Sequence, residues 1–146
     1  MPQLQIYSET LVVSMERGPH VFNITSVLND MLQRLEVETG LLSLFVLGST
    51  GSVTTIEYEP GAVEDLRRAI NSLADPRSSY EHEKAWHDGN GHSHVQAALL
   101  GPSVSVPIQR GRLLTGTWQQ IVLINHDVRP RERRVEVTVV GTGCAD

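Results

Sequence analysis

The apolar positions of this chain fall into short runs, some with a two-residue period and some with a three-to-four-residue period. Residues 4–15, L-Q-I-Y-S-E-T-L-V-V-S-M, alternate in part and are rich in β-formers, which predicts one or two strands. Gly18-Pro19 ends that segment. Val27, Leu28, Met31, Leu32 and Leu35 then recur at helical spacing, with Asn23 or Thr25 as the cap and Gly40 as the stop. Residues 41–47 form a continuous apolar run of strand length; 48–51 interrupt it, and 53–58 resume as a second strand. Pro60 opens a helix whose apolar face is Val63, Leu66, Ile70 and Leu73, closed by Asp75-Pro76. A polar loop follows, then a short helix over 95–100 and three strands over 104–108, 117–124 and 134–140. Strands outnumber helices and hairpin-length connections dominate, so the pattern predicts one α+β domain, residues 1–146, with a largely antiparallel sheet or sandwich.

Composition narrows the function classes. A net charge of −5 offers no general basic surface for nucleic acid. No apolar run reaches membrane-spanning length and no signal pattern opens the chain, so the expectation is a cytoplasmic protein with no membrane partner. The single Cys144 forms no internal disulfide and reads as a bystander. Basic charge is concentrated in arginine, with Lys84 the one lysine, and Arg129, Arg131, Arg133 and Arg134 lie within six residues. They are either a solvated strand entrance or an anion clamp, since guanidinium suits phosphate and carboxylate.

The candidate chemistry lies in the loop. Four of the six histidines (His82, His87, His92 and His94) fall within Y-E-H-E-K-A-W-H-D-G-N-G-H-S-H, residues 80–94. Neutral imidazole is the commonest protein ligand for zinc-like ions, and the glycines allow tight folding. His82, His92 and His94 are the expected metal ligands, with an open fourth position. His94, at a helix start, is held neutral there and doubles as a catalytic group. The alternative is that these histidines cap and hydrogen-bond a long loop. His87, beside Trp86, is a surface or stacking residue, and His20 and His126 carry no chemistry. Glu57 is either a general base or second acceptor for a ligand histidine, or an exposed strand charge. Residues 48–52, G-S-T-G-S, offer backbone N–H groups and the hydroxyls of Ser49 and Thr50 to an anion, without the Gly-Lys-Ser/Thr of a P-loop. Arg112 and Arg131 would add charge to that anion site. Gly116 marks a close approach to a ligand or a strand, and Trp118 either packs or stacks on substrate.

Five segments recur together in order: G-L-L-S-L-F-V (40–46), Y-x-H (80–82), H-V-Q-A-A-L-L-G-P-S (94–103), V-P-I (106–108) and G-x-L-x-x-G-T-W-Q-Q-I (111–121). In these the chain resembles the YjbQ-like family over about residues 5–141. The resemblance implies a β-sandwich of largely antiparallel strands with two longer helices and one short one, usually assembled as a homotrimer. It also implies secondary thiamine-phosphate synthase activity, which joins a pyrimidine diphosphate to a thiazole phosphate. One departure stands out: many members carry His-Thr-Ser where this chain has Gly48-Ser49-Thr50. Two functions follow as expectations. One is a metal-dependent enzyme, with zinc the expected divalent ion, acting on a phosphorylated small molecule as a transferase or hydrolase. The other is a non-catalytic trimer binding a metal or small anion. Pyrophosphate chemistry favours Mg²⁺ with oxygen ligands, whereas a histidine cluster favours zinc and metal-assisted hydrolysis.

Overall fold

A computed structural model describes residues 3–143, so Cys144 lies outside the described residues. Among these are eight strands and four helices, in the order β1 (Gln5–Met15), β2 (His20–Asn23), α1 (Thr25–Leu35), β3 (Val37–Leu47), β4 (Gly51–Glu57), α2 (Pro60–Leu73), α3 (Glu81–Trp86), α4 (Gly91–Leu100), β5 (Ser103–Gln109), β6 (Arg112–Leu113), β7 (Gln119–Asn125) and β8 (Arg131–Gly143). The class is α+β, as the periodicity predicts. Every strand pairing is antiparallel, in a five-stranded sheet of order β1-β8-β3-β5-β6 and a three-stranded sheet of order β2-β7-β4. None of the helices is long and apolar enough to cross a membrane.

β7 explains the layering. Its I-V-L-I run is buried on both faces: Ile121 and Leu123 join the main core between the sheets, while Val122 and Ile124 face Ile70 and Val21 in a second core. A strand buried on two sides carries a continuous apolar run rather than alternation. α1 packs Leu28, Met31 and Leu32 into the main core, and α2 lays Val63, Leu66 and Ile70 on the second. Pro60 sits in the first turn of α2, where the Glu59 carboxylate accepts from the N–H groups of Gly61 and Ala62 at 2.7 Å each.

The structure differs from the pattern in several places: β2 and β6 are additional strands, and the cap position of α1 is held by Ile24, with no side-chain cap, rather than by Asn23 or Thr25. α1 stops at Glu36, which takes the left-handed conformation at φ 55°, so Gly40 is an interior residue of β3 rather than a helix stop. Gly40 faces Gly141 of β8 because the two backbones approach too closely there for a side chain. The polar loop contains an additional helix, α3, and α4 begins at Gly91 rather than at residue 95.

Candidate metal centre and its cavity

The turn between α3 and α4 is folded by local hydrogen bonds. Glu83 accepts from the N–H groups of Gly89 and Gly91, each at 2.8 Å, and Asp88 Oδ1 accepts from that of Asn90 at 2.9 Å. His87 closes α3 in the left-handed region at φ 51° and is exposed. Gly91 lies against Tyr80, where a Cβ would fall 2.8 Å from the ring Cγ.

This turn carries His82 back onto His94, with ring centroids 4.5 Å apart and edge-on. Asp88 joins them, its Oδ1 3.2 Å from His82 Nε2. One ligand atom from each of His82, Asp88 and His94 lies within 4.8 Å of the other two. Metal–ligand bonds of about 2.0–2.2 Å in a tetrahedron put ligand atoms about 3.3–3.6 Å apart, so small side-chain rotations close the set. His94 Nδ1 is 3.2 Å from the carbonyl oxygen of Ser49. A carbonyl only accepts, so Nδ1 carries the proton and Nε2 presents a lone pair, the arrangement that orients ligating histidines. The Asp88 carboxyl is held below its ordinary value, first by the Asn90 N–H and then by His82 and His94.

His92 does not join this group. In a helix that begins at Gly91, positions 92 and 94 differ by about 200° around the axis and face opposite ways. His92 is buried, 6.3 Å from the Tyr80 ring, and burial lowers its pKa. The expected set of three histidines therefore becomes two histidines and Asp88.

His94 also lines a cleft of about 370 Å³ with Phe45, Leu47, Gly48, Ser49 and Ala98. Behind it lies a buried polar layer. Thr50 donates from its hydroxyl to Asp127 Oδ2 at 2.9 Å and accepts from Arg133 Nη2 at 2.5 Å, so that hydroxyl is committed to the protein. Arg131 donates through Nε to Asp127 at 3.0 Å, which ties it to a carboxylate rather than leaving it as an open clamp. Burial alone would raise the Asp127 pKa, but the Arg129 N–H, Thr50, Asn90 and Arg131 hold it below the usual range. His126 Nε2 is 2.7 Å from Ser52 Oγ and its Nδ1 is 2.9 Å from Gln96 Oε1, all inside the protein.

Three expected site residues lie elsewhere. β4 places Gly51 at the cleft and Glu57 at its other end, about 20 Å away at roughly 3.3 Å per residue. Glu57 lines a separate cleft with Tyr58 and Trp118. Gly116 is near that same end, in the turn before β7, and donates its N–H to the Gln119 side chain at 3.0 Å. Trp118 is 73% exposed and does not pack within the described chain. Arg112 is exposed on β6, beside Gln109, whereas the cleft adjoins the opposite end of β5. Of the expected 48–52 loop, Gly48, Ser49 and Gly51 share the cleft with His94, and Ser49 is the one expected ligand-binding side chain among them. Asp88 is the addition, and of the arginine cluster at 129–134 it is Arg133, rather than Arg131, that lies against the cleft glycines.

A family model described as UPF0047 protein YjbQ-like matches residues 9–142. The chain is 35% identical to the UPF0047 protein YjbQ of Salmonella typhimurium, over 92% of this chain and 98% of that protein. It is 31% identical to a UPF0047 protein of Methanothermobacter thermautotrophicus, over 94% of each. Its structure is similar to the crystal structure of a YbjQ-like protein of unknown function from Sulfolobus solfataricus, with a TM-score of 0.89 and 29% identity, covering 95% of this chain and 99% of that one. A hypothetical protein from Aeropyrum pernix gives a TM-score of 0.86 at 32% identity, covering 92% and 98%. With its sequence matched almost throughout and its architecture shared with these solved structures, the chain belongs to the UPF0047, YjbQ-like protein family.

Proposed function

We propose that this chain is a metal-dependent enzyme acting on a phosphorylated small molecule, with the ion held by His82, Asp88 and His94. The observation that supports this reading is the convergence of those three side chains at the cleft that His94 itself lines. Two imidazoles and a carboxylate suit zinc or a neighbouring transition metal better than Mg²⁺. A divalent ion there would supply Lewis-acid charge to a ligand oxygen. His94 is oriented by the Ser49 carbonyl, and the apolar walls of the cleft would pack against the body of a bound molecule. The donor set favours metal-assisted hydrolysis over the thiamine-phosphate synthase reaction that the resemblance implies, because a pyrophosphate leaving group calls for an oxygen-ligated Mg²⁺.

The test is calorimetric titration of zinc into protein made without a histidine tag and stripped of metal. Wild type should take one ion per chain. Asp88→Ala and His94→Ala should each weaken binding by more than about 100-fold, since even changes to the groups that support ligands cost 10–100-fold. His87→Ala should bind as wild type does. Zinc bound equally by all four proteins would remove the site.

Self-association as a homotrimer is part of the same proposal. The outer face of the five-stranded sheet leaves Ile6, Val12, Leu41, Phe45 and Leu47 exposed along one side, an apolar surface of the kind that subunits cover. The number three comes from the family resemblance. Light scattering should give three times the 16.1 kDa of the chain, and a monomer mass at micromolar concentration would reject it.

A further inference from the structure

Arg133 is a buried cation with no direct ion pair; the nearby carboxylate, Asp127, reaches it through the Thr50 hydroxyl that both groups share. β8 turns Val135, Val137 and Val139 into the core, and Arg133 shares their face of the strand at 5% exposure. A buried guanidinium is costly unless it is paired. Its Nη2 donates to Thr50 Oγ1 and Asn125 Oδ1, both neutral, at 2.5 and 2.6 Å. Among the described residues no carboxylate forms an ion pair with it; Asp127 is engaged by Arg131, Thr50 and the Arg129 N–H. Its Nε is, among the described residues, the one buried side-chain nitrogen or oxygen without a hydrogen-bond partner.

The orphaned side of the guanidinium backs onto the cleft. A Cβ on Gly48 would stand 2.9 Å from Nη1, and one on Gly51 would stand 3.2 Å from Nε and 3.3 Å from Cζ. Both glycines line the cleft, and Arg133 does not, so at these two positions only glycine backbone stands between the buried charge and the cleft. The remaining wall is apolar: Phe45, Leu47, Ala97, Ala98 and Pro102.

We propose that Arg133 is the anion-recognising residue of this cleft, and that the ligand joins one phosphomonoester group to a compact apolar body. An oxyanion at Gly48 would add to the charge that Asp127 offers from across Thr50 and bring an acceptor to the side of the guanidinium that has none. The apolar walls would hold a body of about one aromatic ring, which is what a cleft of about 370 Å³ accommodates beside a phosphate. The inference rests on the reading that this cleft takes a small phosphorylated ligand, and it does not depend on the metal.

The experiment titrates phenyl phosphate, phenol and inorganic phosphate into metal-free protein in the presence of chelator. Phenyl phosphate should bind more tightly than either fragment. Arg133→Gln should weaken it by about tenfold or more, the loss expected for a charged hydrogen bond. Because Arg133 also braces Thr50 and Asn125, a second variant guards against loss of the fold. Ala98→Glu, on the exposed side of α4, sets a carboxylate against the phosphate and should weaken binding comparably with an unchanged melting temperature. If wild type binds no phenyl phosphate, the reading of the cleft and the role of Arg133 fall together. If Ala98→Glu weakens binding and Arg133→Gln does not, the cleft stands and Arg133 is structural; if neither variant weakens it, the ligand sits elsewhere and the proposal falls.

Discussion

Acidifying this protein from pH 7 to pH 4 should remove about 3 kcal/mol of folding stability through His126 alone. The ring is 1% exposed and both its nitrogens are occupied. Gln96 Nε2 donates to the Ala74 carbonyl at 3.0 Å, which fixes Oε1 as the atom facing the ring. Nδ1 therefore carries the proton and Nε2 accepts from Ser52, a fully satisfied neutral imidazole. Burial, then the charge of Arg133, then His92, push its pKa down to about 4 from 6.5. Above pH 6.5 the ring is neutral folded or unfolded, and the whole contribution is present. As the pH falls, the unfolded chain takes up the proton first, and stability drains away until the folded ring protonates near pH 4. Urea denaturation at pH 7, 5.5 and 4 measures the slope. His126→Phe should be less stable at pH 7, because Ser52 and Gln96 lose their partner, yet flatter across this window. Parallel curves for the two proteins would show that His126 protonates freely inside the fold.

Gly40→Val should abolish the native sheet, at a cost above about 4 kcal/mol. Gly40 faces Gly141 where β3 runs between β8 and β5. A Cβ there would stand 2.6 Å from the Gly141 Cα and closer still to the Val140 carbonyl oxygen. The obstacle is backbone, so no rotamer change relieves it; β3 and β8 would have to separate. Gly116→Ala is the matched control, because its nearest neighbour would be a flexible Gln119 side-chain atom at 3.5 Å. Expression yield and thermal melting compare the two. A Gly40→Val protein that melts within a few degrees of wild type would refute the packing described for this crossing.

What was legible in the sequence followed from periodicity. α2 is opened by Pro60 and capped beside it, and β7 is a bare apolar run of strand length. Gly40 misled because a glycine after an apolar helical stripe reads as a stop, while its actual role depends on a strand a hundred residues away. The histidine stretch marked the site, but the ligand set turned on where α4 begins. A start at residue 95 would leave His92 and His94 in extended chain; the start at Gly91 divides them. Asp88 lies six residues from both His82 and His94 in the sequence, and only the turn between α3 and α4 brings it to them. Arg133 had a signal too: it keeps the alternation of Val135, Val137 and Val139, and that parity points it inward. Glu57 and Gly116 could not be excluded from the site without the β4–β7 register, which sends them to the far end of the strands.

The order β1-β8-β3 has a consequence for how the chain is made. β8 lies between two strands that leave the ribosome long before it does. β3, β5 and β6 can pair as they emerge, but β1 has no neighbour until β8 is inserted, along a register running from Gln5↔Gly141 to Met15↔Arg131. At translation rates of about 5–20 residues per second that interval is on the order of ten seconds. Throughout it β1 is an unpaired strand bearing Ile6, Leu11, Val12 and Val13, open to chaperones and to the same strand of other nascent copies.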